Sequence, residues 1–470
     1  MRKRAAVLWV AAGLTVLAVA LAALLGLTPR TRILRLPVLG GTRLTTSEKL
    51  VAEACPNVTN ARVSPDARRV ACFVGGSMGY PSSGGDWVSG RARVLVDGVV
   101  GKEYSAVLPT SLCFGPDGKR LAYVAQGDSI EYSETPIYVV VDGTPFGPYR
   151  GAVPVPVFSP DGKRVAWVAE VARTRFLFMD GKRQGAAYEH TYGADVSFSA
   201  DGKRIAFTVG AGRFVGNNSV VVQSIDAVER GEKADPVIEP YGYVGRLLFS
   251  PDSRHFAFWV RGSFGQYPVL DGVKQKPTES EKDRPFGDLI FSPDSRRLAY
   301  VSESPGSEFA VVDGVEGKRY DSIRSGLVFS SDSQRLAYAA SRGNNKWTEV
   351  IGNTESREYE EVRAAGVFSP DAKRTAYAAS LTGKWFAVVD GGPGKQYEEI
   401  RGGPLFGPDS RHIAYLAQRT GKWFVVVDGV ESKEYDRYVG EGNLVFDGPN
   451  LVRAIMQRGD QVLRVEVKMG

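Results

Sequence analysis

One pentapeptide of the sequence could surround a nucleophilic serine. Residues 75–79 read Gly-Gly-Ser-Met-Gly and match the G-x-S-x-G pattern of hydrolytic enzymes. That pattern works only where the serine stands on a sharp turn between a strand and a helix. A segment rich in glycine, serine and proline follows instead. We therefore interpret the match as accidental and predict no catalytic residue.

Histidine, cysteine and glycine patterns indicate no metal or cofactor site. The three histidines, His190, His255 and His412, are scattered, and the three cysteines form no C-x-x-C pair. No Gly-Lys dipeptide is followed by the serine or threonine of a P-loop, and no EF-hand loop occurs. We predict no metal, no cofactor and no enzymatic activity.

The cysteines leave two alternatives open. Cys55 and Cys72 flank one turn and could form a disulfide in an exported protein. Alternatively, Cys55, Cys72 and Cys113 are buried free thiols.

A motif close to Phe-Ser-Pro-Asp-Gly-Lys-Arg-Leu-Ala-Tyr recurs along the chain. Its aspartates are Asp66, Asp117, Asp161, Asp201, Asp252, Asp294, Asp332, Asp371 and Asp409, 38 to 51 residues apart. A tenth, eroded copy begins at Val445. Regular recurrence favours a structural role for these aspartates in turns. His255 and His412 occupy motif positions, which favours repeat substitution over ligand binding.

Each repeat is predicted to form four short strands. Proline, aspartate and glycine of the motif favour a type I turn, and the alternating segment after it predicts a strand. A second element, such as VVVDGVESKEYD from Val425, places a Asp-Gly turn between two strands. The small alanine after the turn, as in Ala299, indicates a crowded position between neighbouring units. A period near 40 residues with this pattern is typical of β-propeller blades.

The recurring F-S-P-D-G-K-R-x-A-Y motif resembles the TolB-like, WD40-like propeller repeat, also called the PD40 repeat. The resemblance covers about residues 61–457. It implies an all-β propeller of about ten four-stranded blades. It implies little about activity, because this repeat occurs in many functional contexts.

Three long loops are predicted to share one face of the propeller. In an up-and-down blade, the Ser-Pro-Asp and Asp-Gly turns lie at one end and the loops between second and third strands at the other. Residues 75–90, 126–136 and 210–219 form the longest of these loops. Insertions confined to one face often mark a binding surface. The alternative is that these are tolerated surface insertions without a ligand. The candidate partner-binding residues there are Tyr80, Asp86, Trp87, Tyr132, Phe214 and Asn217.

The N-terminal region predicts a membrane anchor. Residues 5–27 carry no charge, and 23 helical residues span a hydrocarbon core of about 30 Å. Arg2, Lys3 and Arg4 favour a cytoplasmic N-terminus, although three arginines also follow the segment. A cleaved signal peptide is the alternative. The predicted domains are a cytoplasmic tip (1–4), a transmembrane anchor (5–27), a linker (28–48) and the propeller (49–470).

Charge and composition favour binding of proteins over nucleic acids. The net charge of +6 is spread over 470 residues without a basic cluster. We predict a protein-interaction scaffold outside the bacterial cytoplasmic membrane, with protein partners and no nucleic acid. The alternatives are a ligand-binding or enzymatic propeller that uses its central channel, and an envelope assembly factor similar to TolB.

The tenth repeat supplies only three strands. Alignment of the repeats places Lys49–Ala54 where the missing fourth strand belongs. We therefore predict that this segment closes one ring, because an unpaired edge is a liability. Two smaller propellers or an open array are the alternatives, since propellers usually have about 4–8 blades.

Overall fold

The computed structural model describes residues 43–53, 61–79, 87–128, 135–150, 155–172, 174–188, 195–210, 218–230, 232, 243–262, 265–275, 284–324, 326–363 and 365–470. The chain divides into a unit of residues 1–41 and a unit of residues 42–470, and every described residue belongs to the second. The predicted anchor, residues 5–27, lies outside the described part. Within that part, no helix is long and apolar enough to cross a membrane.

The described residues form ten repeated antiparallel units, which we call blades 1 to 10 in the order of their motif turns. The first strands are β2 (Arg62–Val63), the second half of β6 (Val99–Phe114), β10 (Val157–Phe158), β14 (Val196–Phe198), β17 (Tyr243–Phe249), β21 (Arg284–Phe291), β25 (Ser322–Ile323) with β26 (Val328–Phe329), β30 (Glu361–Val362) with β31 (Val367–Phe368), β35 (Glu399–Phe406), and β39 (Arg437–Tyr438) with β40 (Leu444–Phe446). The second strands are β3 (Val70–Val74), β7 (Leu121–Gln126), β11 (Val165–Val171), β15 (Arg204–Gly210), β18 (Phe256–Gly262), β22 (Leu298–Ser304), β27 (Leu336–Ser341), β32 (Thr375–Leu381), β36 (Ile413–Arg419) and β41 (Leu451–Arg458).

The outer half of each blade completes the sheet. The third strands are β5 (Trp87–Val96) with the short β4 (Ser77–Gly79), β8 (Ile137–Val141), β12 (Thr174–Met179), β16 (Asn218–Ser224), β19 (Gly265–Leu270), β23 (Ser307–Val312), β28 (Trp347–Ile351), β33 (Lys384–Val389), β37 (Lys422–Val427) and β42 (Gln461–Met469). The fourth strands are the first half of β6, β9 (Thr144–Tyr149), β13 (Lys182–Tyr188), β20 (Val273–Lys274), β24 (Val315–Tyr320), β29 (Thr354–Glu355), β34 (Gly392–Pro393), β38 (Val430–Glu431) and β1 (Leu44–Glu53). In blade 4, helix α1 (Ile225–Glu229) follows the third strand, and Ser224 caps it by accepting a hydrogen bond from the Ala227 amide.

Hydrogen bonding joins the strands of each blade in sequence order. Strand β6 is long enough to serve both blade 1 and blade 2, which therefore share one eight-stranded sheet. Each of the other eight sheets in the described part forms one blade. The all-β propeller architecture expected from the repeats is confirmed by this topology.

Buried apolar clusters connect every blade to the next around a ring. Each of the nine successive blade pairs shares such a cluster. A further cluster joins the last blade to the first through Ala52, Val63, Cys72, Val439 and Ile455. Packing, to which Ala52 of β1 contributes, therefore closes the described blades into a single ring, and the alternatives of two rings or an open array are wrong.

The N-terminal strand also closes that ring, by backbone hydrogen bonding to the last blade. β1 pairs antiparallel with β42, from Leu44 opposite Met469 to Glu53 opposite Gln461. The fourth strand predicted for the last blade is confirmed. It begins at Leu44, five residues before the predicted boundary at Lys49, because its pairing continues to the end of β42.

A polar clamp fixes β1 against its neighbours. The Tyr435 hydroxyl donates to Glu48 at 2.8 Å, and the Arg458 guanidinium donates to both Glu48 carboxylate oxygens. The Arg458 hydrogen bond lowers the pKa of Glu48 to about 2, against an opposing effect of burial. The same arrangement occurs inside the ring, where the Tyr397 hydroxyl donates to Glu431. Glu431 lies on the fourth strand of blade 9. Glu48 of β1, which precedes the repeats in the sequence, takes the same role in blade 10.

All nine motif turns have the hydrogen bond expected of a type I turn. In blade 6, the Ser295 amide donates to the Ser292 carbonyl at 2.8 Å. The Asp294 carboxylate accepts from the Ser292 hydroxyl at 2.6 Å and from the Arg296 amide at 3.2 Å. The predicted turn geometry is therefore confirmed, and the aspartates bond inside their own turns.

The motif turns and the Asp-Gly turns lie at the same end of the ring, as predicted. Arg297, which follows the motif turn, donates to Asp313 of the Asp-Gly turn, and the Leu298 amide donates to the same carboxylate at 2.9 Å. His255 and His412 replace this arginine, and each lies 2.6 Å from the corresponding aspartate. We call this the turn end and the opposite side the loop end.

A hydrogen bond between neighbouring blades at the turn end was not predicted from the sequence. Ser295 occupies the last position of its turn with φ of 63°, where glycine is the usual residue. Its hydroxyl accepts a hydrogen bond at 2.9 Å from the amide of Asp252 in the preceding blade. The hydrogen bond between blades therefore compensates for the strained backbone of Ser295.

Substitution of Asp294 by alanine is expected to lower the melting temperature by roughly 1–3 °C and to leave the ring intact. The variant loses the hydrogen bonds of one carboxylate, in a single turn of a ten-bladed protein. The backbone hydrogen bond from Ser295 to Ser292 in that turn remains. Differential scanning calorimetry beside unaltered circular dichroism would check this. Loss of a specific binding activity with an unchanged melting temperature would contradict the structural role of these aspartates.

The remaining sequence interpretations have clear outcomes in the described part. Ala122, Ala166, Ala299 and Ala414 have no exposed surface, as expected for a crowded position. Cys72 is disulfide-bonded, so the alternative of three free thiols is wrong, whereas Cys113 is a free thiol.

Candidate functional site

Five of the six candidate partner-binding residues lie outside the described part: Tyr80, Asp86, Tyr132, Phe214 and Asn217. The sixth, Trp87, is described and is 0% exposed. It belongs to an apolar cluster with residues of blades 1 to 3, including Trp167.

The interpretation of Trp87 as a loop residue that contacts a partner is therefore wrong. The third strand of blade 1 begins at Trp87, because the segment before it folds back as β4 and pairs Gly79 with Trp87. As the first residue of this strand, Trp87 packs into the core, and burial of its large aromatic surface stabilises the blade. The same pairing places Ser77 within a β-ladder, so the strand–turn–helix setting of a nucleophilic serine is not formed by residues 75–79.

Within the described residues, no group of three or more histidine, cysteine, aspartate or glutamate side chains is placed to hold a metal ion.

The first strands form the inner wall of the ring. First strands of neighbouring blades contact each other, as β17 contacts β21 and β31 contacts β35. In blades 2 and 5 to 10, a bulge or a gap in pairing interrupts each first strand, for example between Arg401 and Leu405. Such bulges redirect side chains and are frequent beside functional sites. The residues just before the bulge lie beside the ends of the second strands, and hence at the loop end.

Oppositely charged side chains of neighbouring blades meet at this position. We define the inner rim as Arg324, Glu361, Arg363, Glu399, Arg401 and Arg437, on the first strands of blades 7 to 10. Arg324 Nη1 lies 3.2 Å from Glu361 Oε1 of the next blade, and Arg363 Nη2 lies 3.4 Å from Glu399 Oε1. An arginine of one blade therefore pairs with a glutamate of the next, and we call this series the rim ladder.

Tryptophans support the arginines of the rim ladder. Arg324 stacks over Trp347 at 4.4 Å from the ring centroid, and Arg363 stacks over Trp385 at 4.2 Å. Burial, together with the nearby Arg401 charge, lowers the pKa of Arg363 from its ordinary value. Guanidinium groups held between an aromatic face and a carboxylate have little freedom to lose when a partner binds.

The acid before each rim position has a local structural role. Glu360 accepts a hydrogen bond from the Gly383 amide at 3.0 Å, and Glu398 accepts one from the Gly421 amide at 3.2 Å. These glycines belong to the turns between second and third strands. The carboxylates thus fix the short loops of blades 8 and 9 against the inner rim.

Further ion pairs occur on first strands elsewhere in the ring. Arg62 of blade 1 pairs with Glu441 of blade 10, and Arg246 of blade 5 pairs with Asp288 of blade 6. The Arg246 amide also donates to Asp195 of blade 4 at 3.0 Å. Pairing of charges across blade boundaries is therefore a general property of the inner wall.

The inner rim was missed by the sequence interpretation, although a signal was present. Residues 320–324, 359–363 and 397–401 share the pattern Tyr-acid-x-(Ile/Val)-Arg, which recurs with the repeat. The tyrosine and the acid of this pattern belong to the segment predicted as the fourth strand, and the arginine follows just beyond it.

Neither a protein-family model nor a curated protein sequence matches the chain. Among solved structures, a eukaryotic initiation factor is similar over 73% of this chain and 88% of its own, at 16% identity and a TM-score of 0.46. TolB from Acinetobacter baumannii covers 49% of this chain and 60% of its own, at 19% identity and a TM-score of 0.27. An oligogalacturonate lyase in complex with manganese covers 67% and 96%, at 12% identity and a TM-score of 0.34. The propeller architecture of this chain rests on its own strand pairing and packing.

Proposed function

We propose that this chain is a membrane-anchored, extracytoplasmic β-propeller that acts as a protein-interaction scaffold, with the inner rim as its contact face. The observation that carries the proposal is the row of arginines held at the loop end of blades 7 to 10. Arginine and aromatic residues dominate the binding energy of protein interfaces, and rigid elements position such residues well.

The location of the inner rim agrees with the long loops of blades 1, 2 and 4. Those loops connect second and third strands, as do the short loops that Glu360 and Glu398 fix beside the rim. A partner that contacts the rim therefore approaches the same end as the longest insertions. Loops on a rigid scaffold commonly carry binding residues.

Two features support a position outside the cytoplasm. The uncharged segment 5–27 suits a single membrane-spanning helix preceded by positive residues. Cys72 takes part in a disulfide, and disulfides persist in oxidising compartments.

Photocrosslinking can test the contact face in cells. A benzophenone side chain in place of Arg437, which is exposed at the loop end, is expected to give adducts of one or a few defined masses. The matched control carries the same group in place of Arg254, which is exposed at the turn end. The proposal predicts adducts from position 437 and at least fivefold fewer from position 254. Equal yields from both positions, or adducts from position 254 alone, would contradict it.

A further inference from the structure

We propose that the inner rim contains an anion-binding site at the boundary of blades 9 and 10, where Arg401 and Arg437 bind carboxylate groups of an acidic protein segment. This inference rests on the proposed function, because it assigns the chemistry of the partner.

The rim ladder is interrupted at this boundary. Glu361 lies opposite Ser380 and Glu399 lies opposite Gln418 in their blades, each at the end of a second strand. The equivalent residue of blade 10, opposite Gln457, is Arg437. The arginine of blade 9 therefore meets another arginine where the preceding blades present a glutamate.

Arg437 has no compensating partner in the described part of the chain, and its side chain is exposed. Its neighbour Asp436 is already engaged, since it accepts from Lys422 Nζ at 2.5 Å and from the Gly459 amide at 2.7 Å. The charge of Arg437 is thus available to a ligand.

Arg401 lacks the stacking contact with a tryptophan that Arg324 and Arg363 have. Trp423, which corresponds to the tryptophan under Arg363, is covered by Tyr438 with ring centroids 4.7 Å apart. Arg401 turns back and donates from Nε to Glu399 at 2.6 Å, which leaves its two terminal nitrogens unpaired among the described residues. Its side chain is 44% exposed, compared with 23% for Arg363.

Arginines outnumber glutamates among the residues of the inner rim. Four arginines of the inner rim face two glutamates, and Glu399 is shared by Arg363 and Arg401. A guanidinium can bind a carboxylate through two parallel hydrogen bonds, and it remains charged at any relevant pH. The unpaired nitrogens of Arg401 and the whole guanidinium of Arg437 are suited to that interaction.

A cavity of about 480 Å³ begins at Gly402, the residue that follows Arg401. Its lining includes Gly402, Gly403, Gly442 and Asn443 of the two bulges, and Glu441, whose carboxylate pairs with Arg62. A methyl group on Gly402 would approach the Gly442 carbonyl oxygen to 2.1 Å, and Gly402 has φ of 57°. Glycine therefore permits the close contact of the two bulges and leaves backbone uncovered beside the arginine. A cavity of this size accommodates a few side chains of a peptide.

Binding of a labelled peptide to the full chain in detergent tests this site. The probe is a fluorescein-labelled peptide with six consecutive glutamates, measured by fluorescence anisotropy at about 0.1 M salt, where charge interactions beyond about 10 Å are screened. Arg437→Glu restores the ladder pattern and is expected to weaken binding at least tenfold without lowering the melting temperature. Arg401→Gln is expected to weaken it at least fivefold. The control Arg254→Gln removes one exposed charge at the turn end and should change affinity less than twofold.

Three results would overturn the inference. The first is no binding of the peptide, and the second is an equal loss of peptide affinity in Arg437→Glu and Arg254→Gln. The third is binding of phosphatidylglycerol vesicles as tight as that of the peptide, which would indicate a lipid in place of a protein segment. The test is separable from that of the proposed function. Crosslinking of a protein at position 437 without peptide binding would contradict the anion site alone. Peptide binding without any protein adduct would contradict the scaffold function and leave the anion site standing.

Discussion

Removal of strand β1 is expected to open the ring. In a chain that begins at residue 54, β42 keeps β41 but loses its outer partner β1, and Tyr435 and Arg458 lose the Glu48 carboxylate between them. Loss of the backbone hydrogen bonds, each contributing about 1 kcal/mol, is expected to destabilise blade 10 by on the order of 5 kcal/mol.

Hydrogen exchange gives the measurement for this change. A chain that begins at residue 43 retains the whole of β1 and is the matched control. Amides of β41 and β42 should exchange at least a hundredfold faster in the shorter chain, whereas amides of blades 4 to 6 should change little. Unchanged protection of β42 in the shorter chain would show that β1 does not close the ring.

The pH dependence of stability is expected to report on one buried carboxylate. Glu349 lies in β28 and is 0% exposed at the boundary of blades 7 and 8. Its Oε1 accepts a hydrogen bond from the Gly366 amide in the bulge of blade 8, and its Oε2 has no hydrogen-bond partner among the described residues. Burial raises the pKa of Glu349 to about 8, although the Gly366 hydrogen bond opposes the shift.

The direction of the effect follows from linkage. A carboxyl with a raised pKa in the folded state binds its proton more tightly there than in the unfolded chain, so the protein loses stability as the pH rises from about 5 to about 8. Glu349→Gln keeps an acceptor for the Gly366 amide and cannot ionise. The variant should match the parent at pH 5 and exceed its free energy of unfolding by on the order of 3 kcal/mol at pH 9.

Urea unfolding of both proteins at pH 5, 7 and 9 would check this difference. Glu349→Ala is a useful control, because alanine occupies the equivalent position 387 in blade 8 but offers no acceptor to Gly366. That variant should remove the pH dependence and lower stability at pH 5. A difference between parent and Glu349→Gln that stays constant from pH 5 to pH 9 would contradict a buried, ionisable Glu349.

The sequence predicted features that depend on local, repeated chemistry. Motif turns, Asp-Gly turns and their common end follow from residues such as Pro293 and Asp313, whose conformational preferences act within a few positions. The closing strand was predictable because the repeats fix the register of Lys49–Ala54. Its exact start was not, since it depends on how far β42 continues.

The sequence did not predict features that depend on packing between blades. Trp87 follows a loop rich in glycine, and only the return of that loop as β4 places it in the core. Glu349 stands where other repeats carry a small apolar residue, such as Ala387 or Val425, and its carboxylate contacts Gly366 in the bulge of the neighbouring blade. The rim ladder joins residues about 37 positions apart, and its register is set by bulges that carry no fixed sequence signal.

A ring of ten blades exceeds the usual range for propellers, and its diameter separates the rim arginines of opposite blades. The proposed contact face is therefore an arc formed by blades 7 to 10. This differs from a small central pocket on which several blades converge.

The most direct test of the account is to count the blades. Cryo-electron microscopy of the chain beginning at residue 43 should give end-on class averages with ten spokes around one central channel and no gap. The spoke formed by β1, β41 and β42 should be continuous with its neighbours on both sides. An open arc, two separate rings or a closed ring with another number of blades would contradict the closed ten-bladed propeller on which the inner rim depends.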